Sequence, residues 1–226
     1  MDDFKPWENN IRMKFKIVEN DINTFLDMIK RECKPFLNQA GSDKFSMYQG
    51  VNMKDNFDEI PFGDFKIYKK RVRGNRKPSD TDVKLSNIID EYLNKRYNLG
   101  GWKPRTQSKF FTGSAIATQE YGLTYIGFPI GDFKYLWSPE IKDLWRITYK
   151  IMWGDESLNY LKDILDGKPS KNIYEIDQFA ELLNTYKFTD LDEGINSGNE
   201  IMIGPANLEY YLIWENDFNY WMKDEI

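Results

Sequence analysis

The sequence predicts an α+β fold, with helices early and late in the chain and several short strands between and after them. Apolar residues recur at helical spacing in 18–37 and 81–98. Short apolar runs bounded by glycine, proline or polar residues recur from residue 44 onward. The 226 residues hold no repeat or low-complexity tract, and this length suits one compact domain. We therefore expect one domain over 1–226, with a helical segment at 1–40.

The first half of the chain predicts two helices and two strands. Region 18–37 is expected to form an amphipathic helix that ends before Pro35, with an apolar face of Ile22, Phe25, Leu26, Ile29 and Cys33. "KFSMYQGV" (44–51) predicts a short strand, and 65–81 predicts a strand that runs into a basic loop. Region 81–98 predicts a second helix, which Thr81 would cap.

The second half predicts strands first and helices later. "SKFFTGSA" and the following "SAIATQEYG" predict a strand and a short helix, and "LTYIGFPI" and "FKYLWS" predict two more strands. Ser138–Pro139–Glu140 predicts a helix start, with proline in the first turn. "GDESLNYLKDILDG" and "IYEIDQFAELLNTY" predict two further helices, and "TDLDEG" (189–194) predicts a loop. Two strands around the turn "GPAN" (204–207) close the chain.

The composition excludes several classes of protein. Aromatic residues make up 16% of the chain, which favours a folded protein over a disordered one. A net charge of −5 argues against a generally basic surface for nucleic acid. No apolar run reaches the roughly 18 residues of a membrane helix, and the acidic start "MDDFKPWENN" is not typical of a signal peptide. The single cysteine, Cys33, cannot form an intramolecular disulfide, which fits a reducing cytoplasm. We therefore expect a cytoplasmic protein, and we expect no membrane partner.

The chain contains no histidine, and this restricts its chemistry. A Ser–His or Cys–His nucleophilic pair cannot form, and neither can a histidine-ligated zinc site. One cysteine does not supply a thiolate cluster, so no metal site is expected. Any catalysis would use carboxylate, Lys, Arg, Tyr or Ser/Thr groups, or a cosubstrate that carries the chemistry.

Three short stretches occur in an order that resembles a known family. They are "MYQG" (47–50), "FFTGSAIATQEYG" (110–122) and "NSGNEIMI" (196–203). This order resembles the Arg–Ser–Glu class of mono-ADP-ribosyltransferases, which has an arginine on an early strand, a Ser/Thr-rich strand in the middle and a glutamate opening a late strand. The resemblance covers roughly residues 40–215, and parts of the chain also resemble phage-encoded proteins of that kind. It implies an ADP-ribosyltransferase-like split β-sheet core with N-terminal and inserted helices.

The resemblance also implies NAD as the cosubstrate and assigns roles to residues. Glu200 would stabilise the oxocarbenium-like transition state at the ribose of NAD, with Thr112 and Ser114 holding that carboxylate and the ribose. Residues of the early stretch and of basic loops would bind NAD, and an aromatic ring would stack on nicotinamide. The residues implied for NAD binding are Tyr48, Gln49, Gly50, Arg71, Arg76, Arg105 and Tyr121.

Two positions depart from the pattern of the family. Gln49 stands where the family has the arginine that grips the NAD phosphates, and a neutral amide cannot replace a bidentate guanidinium. Other arginines could hold the phosphates, the activity could be lost, or the residue could have been changed to silence a toxic enzyme. Gly198 stands two residues before Glu200, where many members carry an acceptor-activating acid or amide.

The leading functional hypothesis is an NAD-dependent transfer of ADP-ribose to a host macromolecule in the cytoplasm, a protein rather than a nucleic acid. The alternatives are an inactive ADP-ribosyltransferase-like protein that binds a partner or belongs to a virion, and an NAD glycohydrolase. A protein inhibitor is a further partner that the resemblance allows. Simpler readings also stay open, because Glu200 could be a solvated strand end, "TGS" (112–114) a turn or helix cap, and the basic loop a solvated segment.

Overall fold

The computed structural model describes residues 23–52, 58–62, 65–74 and 83–221. The described chain begins with helix α1 (23–32), followed directly by α2 (Lys34–Ala40) and a 3₁₀ turn (Gly41–Asp43). The prediction of one helix that ends before Pro35 is therefore wrong in part. The first helix does stop, but Pro35 lies in the first turn of the second, where its missing N–H removes no helical hydrogen bond.

Eight strands among the described residues form one hydrogen-bonded sheet, and every strand pair is antiparallel. Their order across the sheet is β2-β3-β8-β5-β1-β4-β7-β6. The strands are β1 (Tyr48–Val51), β2 (Asp58–Phe62), β3 (Phe65–Arg71), β4 (Lys109–Thr112), β5 (Leu123–Pro129), β6 (Lys134–Trp137), β7 (Glu200–Gly204) and β8 (Glu209–Trp214).

The sheet is nearly divided between β1 and β4. These two strands pair only at Tyr48 and Thr112, whereas β1 and β5 share four residue pairs and β4 and β7 share four. A five-stranded half (β2, β3, β8, β5 and β1) therefore joins a three-stranded half (β4, β7 and β6) through one residue pair. The other residues of β1 and β4 are not paired with each other. Space therefore opens between the two halves beside this pair.

The remaining helices lie mainly around the three-stranded half. The long helix α3 pairs with α6, and α6 packs on α7. The short helix α4 contacts β1 and continues into a 3₁₀ turn (Gln119–Tyr121). The bounds of the helices are α3 (Val83–Tyr97), α4 (Ala115–Thr118), α5 (Leu144–Thr148), α6 (Asp155–Leu165), α7 (Tyr174–Leu183), α8 (Leu191–Asn196) and α9 (Glu215–Trp221).

Two apolar clusters form the core, one on each face of β7. Ile201 and Ile203 belong to the first cluster, where α1, α2 and the five-stranded half bury aromatic rings around Phe128. Met202 belongs to the second cluster, which α3, α6 and α7 supply. Successive strand residues point to opposite faces, so a strand buried on both faces is apolar at consecutive positions, as β7 is at Ile201, Met202 and Ile203.

The predicted helix start at Ser138–Pro139–Glu140 is wrong. A helix here would use the carbonyl oxygens of Ser138 and Pro139, but both accept hydrogen bonds from Asn199 Nδ2, at 2.8 and 3.0 Å. Ser138 Oγ caps only a turn, by accepting from the N–H groups of Glu140 and Ile141. Helix α5 starts six residues after Ser138, where the Asp143 side chain accepts from two backbone N–H groups.

Most other element predictions are confirmed. Helices α3, α4, α6 and α7 and strands β1 and β3 to β8 lie where the sequence places them, and the GPAN turn joins β7 to β8. The loop predicted at 189–194 is wrong, since α8 begins at Leu191 and buries Leu191 and Ile195. Thr81, the predicted cap of α3, lies outside the described residues. Within the described ranges, no helix combines the length and apolarity that crossing a membrane requires.

Candidate functional site

A cleft of about 650 Å³ lies at the junction of the two half-sheets. Its walls come from β1, β4, the α4 turn, the segment that leads into α5, and the start of β7. Eight of the residues that the resemblance implies line this cleft: Tyr48, Gln49, Gly50, Arg105, Thr112, Ser114, Tyr121 and Glu200. Pockets that bind small molecules have volumes of about 300–1,000 Å³, so the cleft can hold a nucleotide-sized ligand.

Glu200 is placed by strand register. It is the first residue of β7 and lies directly opposite Thr112, the last residue of β4, which in turn lies opposite Tyr48 of β1. Directly paired residues present their side chains on the same face. Glu200 N donates to the carbonyl oxygen of Lys142 at 3.0 Å, which ties the start of β7 to the segment before α5. The Glu200 side chain is half-buried and lines the cleft.

The hydroxyl groups of Thr112 and Ser114 organise the turn after β4. Thr112 Oγ1 donates to the carbonyl oxygen of Gly198 at 2.7 Å and accepts from Ser114 N at 3.1 Å. Ser114 Oγ accepts from Ala117 N at 3.3 Å and caps α4. The interpretation of "TGS" as a helix cap therefore holds for Ser114. The hydrogen bond from Thr112 to the Gly198 carbonyl oxygen instead fixes the backbone two residues before Glu200. Both residues also line the cleft.

Gln49 is buried at the cleft wall and only 3% exposed. Among the described residues, neither its Nε2 nor its Oε1 has a hydrogen-bond partner. Gln49 is opposite Tyr125 of β5, and Val51, two residues along on the same face, is buried in the first apolar cluster. The amide therefore sits at the boundary between apolar core and cleft.

Gly50 is needed for the packing of the α4 turn on β1. A Cβ atom at Gly50 would lie 2.4 Å from the Thr118 carbonyl oxygen and 2.6 Å from Tyr121 Cβ. Any side chain would push this turn away from the strand. The close approach brings Tyr121 beside the Tyr48–Gly50 segment, as the resemblance implies for a shared site. Tyr48 is half-buried, and burial raises the pKa of its hydroxyl.

Arg105 is 1% exposed, and its guanidinium lies 5.0 Å from the ring centre of Phe110. The loop that carries it is held by Asp90 of α3. Asp90 Oδ1 accepts from Arg105 N at 2.5 Å, and Asp90 Oδ2 accepts from Thr106 Oγ1 at 2.6 Å. Burial raises the pKa of the Asp90 carboxyl, although these hydrogen bonds lower it. Sequence reasoning missed Asp90. The only sign of its role in the sequence is its position directly after Ile89, one of the apolar residues that mark the buried face of α3.

The rim of the cleft carries a network of polar side chains. Tyr121 Oη donates to Asp143 Oδ2 at 2.8 Å, and Asp143 also caps α5. Burial, followed by this hydrogen bond and the charge of Asp143, raises the pKa of Tyr121 to about 12. Arg146 pairs with Glu120, and its Nε lies 3.6 Å from Asp143 Oδ2. This network joins the α4 turn to α5 across the cleft, and sequence reasoning missed all of it except Tyr121.

Tyr186 lies buried behind the cleft, and sequence reasoning missed it as well. Burial raises the pKa of its hydroxyl well above the usual value, and the nearby charge of Glu200 raises it further. The Arg105 charge acts in the opposite direction. The Tyr186 hydroxyl therefore stays neutral close to one negative and one positive side chain of the site.

One described arginine implied for NAD binding, Arg71, does not line the cleft. Arg71 ends β3 and pairs at 2.9 Å with Glu209 of β8, which also binds Lys69 at 2.8 Å. The assignment of Arg71 to the site is not supported, because this ion pair holds it on the five-stranded half, among residues that do not line the cleft. Arg76 lies outside the described residues.

The backbone at Gly198 explains the second departure from the family pattern. Gly198 has φ of +69°, a conformation that side-chain-bearing residues rarely adopt. Its carbonyl oxygen is the acceptor for Thr112 Oγ1. A glutamate or glutamine at this position would be strained, so the local backbone disfavours an acceptor-activating side chain there.

Within the described residues, no group of three or more Cys, Asp or Glu side chains is arranged to hold a metal ion. Comparisons with models of protein families, with curated proteins and with solved structures found no match to this chain. The geometry of the cleft and the order of the three motifs are therefore the basis for any assignment of function.

Proposed function

We propose that this chain is an NAD-dependent mono-ADP-ribosyltransferase that transfers ADP-ribose from NAD to a macromolecular acceptor. We also propose that its sheet is the split sheet of that family. The observation that carries both proposals is the meeting of the three motif segments at one cleft. Tyr48, Thr112 and Glu200 occupy consecutive paired positions across β1, β4 and β7, where the two half-sheets join.

The lining of the cleft suits the chemical parts of NAD. A pyrophosphate needs cations, and the cleft is lined by Arg105, Lys109, Lys142 and Arg146. Two planar rings need aromatic or apolar surfaces, and the lining includes Tyr48, Phe110, Phe111, Tyr121 and Trp145. Arg105 is the best phosphate candidate, because Asp90 fixes its loop and Phe110 lies beneath its guanidinium. Gln49 does not suit this role, because its neutral amide provides no positive charge for the phosphates.

In this proposal NAD supplies a good leaving group, nicotinamide, and a ribose carbon that becomes positively charged as the glycosidic bond breaks. Glu200 stabilises that charge by accepting a hydrogen bond from a ribose hydroxyl, a contact that strengthens in the transition state. Thr112 fixes the Gly198 carbonyl and so the approach to β7. No histidine or metal is required for these roles.

The same geometry bears on the acceptor. Gly198 has no side chain, and its left-handed backbone disfavours other residues there, so this position does not assist the acceptor. We propose a protein acceptor, because the net charge of −5 disfavours nucleic acid. If water replaces the acceptor, the chain is an NAD glycohydrolase, and free ADP-ribose would form without a labelled macromolecule.

The first prediction concerns Glu200→Gln. It removes the charge but keeps the shape, so transfer of label from NAD should fall by about 100-fold or more, the usual loss for a group that stabilises transition-state charge. The assay uses labelled NAD with a host-cell lysate and separates labelled macromolecules from free ADP-ribose. The matched control is Glu209→Gln, which makes the same change on a half-buried, ion-paired strand residue outside the cleft. Transfer that survives intact in the Glu200→Gln variant would eliminate the carboxylate mechanism.

Gln49 favours a second candidate, an inactive ADP-ribosyltransferase-like protein that binds a partner. A second prediction separates the candidates. If the rest of the site is intact, Gln49→Arg should raise NAD turnover by tenfold or more, since hydrogen bonds to charged groups contribute about 1.5–3 kcal/mol each. NAD turnover that is absent in the native chain and in the Gln49→Arg variant would support the inactive candidate against the enzyme.

A further inference from the structure

The Gln49 side chain places two hydrogen-bonding atoms in a buried position. The residue is 3% exposed, and its Nε2 and Oε1 have no partner in the described parts of the chain. Buried amides are nearly always hydrogen-bonded, because an unsatisfied polar atom loses its bonds to water without replacement. Gln49 nevertheless lines the cleft, so a molecule bound there is the candidate partner for the amide.

The two orphaned atoms restrict what the bound group can be. Nε2 offers donors and Oε1 offers lone pairs, side by side in one plane. A phosphate could accept from Nε2, but it would then place negative charge beside Oε1. An apolar group would satisfy neither atom. The complement is a neutral group with an acceptor next to a donor.

The surroundings of Gln49 favour a planar group. Tyr121 Cβ lies close to Gly50, the next residue of β1. Phe111 also lines the cleft, and β4 carries it next to Thr112, the residue that pairs with Tyr48. Both residues line the cleft, and aromatic side chains give a flat ring a surface to stack on.

We propose that Gln49 recognises a neutral planar edge that presents a hydrogen-bond acceptor beside a donor, namely a carboxamide or a nucleobase edge. Glutamine pairs in this way with the N6/N7 edge of adenine, and a carboxamide offers the same pair of groups. The inference rests on the proposed function, because it assumes that the cleft is the site where the ligand binds. It makes Gln49 a specificity residue for a ring of the ligand instead of a defective phosphate clamp, so under this inference Gln49→Arg would not raise NAD turnover.

The test is binding, measured by NMR titration of nicotinamide and of adenosine with the native chain and its variants. Nicotinamide presents the carboxamide, and adenosine presents the nucleobase edge, so the two probes distinguish the sources. Ribose 5-phosphate, which has hydroxyls and a phosphate but no planar edge, is the third probe. Gln49→Met removes both hydrogen-bonding atoms and keeps the length. Gln39→Met is the matched control, since Gln39 is exposed and bonds to Pro35 O within its own helix.

We expect Gln49→Met to weaken binding of one planar probe by about tenfold, the effect of losing one or two neutral hydrogen bonds. Binding of ribose 5-phosphate should change little, and Gln39→Met should change nothing. Because the free amide is unpaired, Gln49→Met should not lower the unfolding temperature. If that variant does not fold, Gln49→Glu, which keeps acceptors but removes the donor, should produce the same selective loss.

Equal binding of both planar probes by the native chain and the folded variant would overturn the inference, and so would a loss confined to ribose 5-phosphate. Failure of the two proposals can be told apart. Adenosine binding that depends on Gln49, with no NAD turnover, would sustain the inference and remove the transferase. If the chain turns over NAD and the Gln49 variants bind the planar probes as the native chain does, the transferase proposal would stand and this inference would fail.

Discussion

Glu200 reaches the cleft because β7 is paired with β4 in a register that sets it opposite Thr112. The order of the three motifs predicted this residue, because a glutamate before an apolar strand is visible in the sequence. The choice among the arginines was not visible. Arg71 and Arg105 both lie in or near loops by sequence, but tertiary contacts give one an ion pair with Glu209 and the other a place at the cleft.

Asp90 provides a third prediction, in the pH dependence of stability. Burial raises its pKa in the folded protein, so the folded state binds the proton more readily than the unfolded state. Its contribution to stability is therefore greatest below the unfolded pKa of about 3.9 and is lost as the pH rises through the raised folded pKa. In Asp90→Asn this loss should disappear, so the free energy of unfolding should shift in favour of the variant as pH rises from about 4.

The measurement is chemical denaturation of both proteins across this pH range. Asp155→Asn is the control with the opposite sign, because a hydrogen bond from Lys84 lowers the pKa of the exposed Asp155 carboxyl. Its contribution is present above the unfolded pKa and is lost as the pH falls. A parallel pH response of the native chain and Asp90→Asn would show that burial does not dominate at Asp90.

At the scale of elements, local periodicity predicted helices α3, α6 and α7 because each buries one apolar face against the second cluster. It failed at Ser138–Pro139–Glu140, where the local signal for a helix start is strong. The carbonyl groups there are taken by Asn199, sixty residues away in sequence. No local pattern reveals such a competitor, and the same bonds bring α5 and its Asp143 cap to the cleft rim.

The turn between β4 and α4 gives a fourth prediction. A Cβ atom at Gly113 would lie 1.6 Å from the Ile195 carbonyl oxygen of α8, so α8 or β4 would have to move. Overpacking of this kind costs about 1–3 kcal/mol and occasionally more, and we expect Gly113→Ala to lie at the upper end. Because α8 leads directly into β7, NAD turnover should fall as well.

Gly154→Ala is the control for this prediction, because a Cβ at Gly154 meets no atom within 4 Å. Denaturation curves of the two variants measure the difference. Equal stability of both variants would mean that β4 and α8 adjust freely, which would weaken the argument that this contact positions Glu200.

At the scale of the molecule, the α+β class followed from the order of helical and strand patterns, but the near division of the sheet did not. It depends on β1 and β4 pairing at a single position, and strand pairing between distant segments is not encoded in periodicity. The resemblance to ADP-ribosyltransferases implies the split sheet of that family, which stays a prediction. The cleft arises where the two halves stop pairing, so the architecture and the candidate site have one cause.

The most direct test of the central claim is a crystal structure of the Glu200→Gln variant with NAD, since slow turnover should preserve the dinucleotide. The account predicts NAD in the cleft between the half-sheets, with the ribose next to residue 200 and the pyrophosphate near Arg105. NAD bound elsewhere on the molecule, or an empty cleft at an NAD concentration that saturates binding in solution, would contradict it.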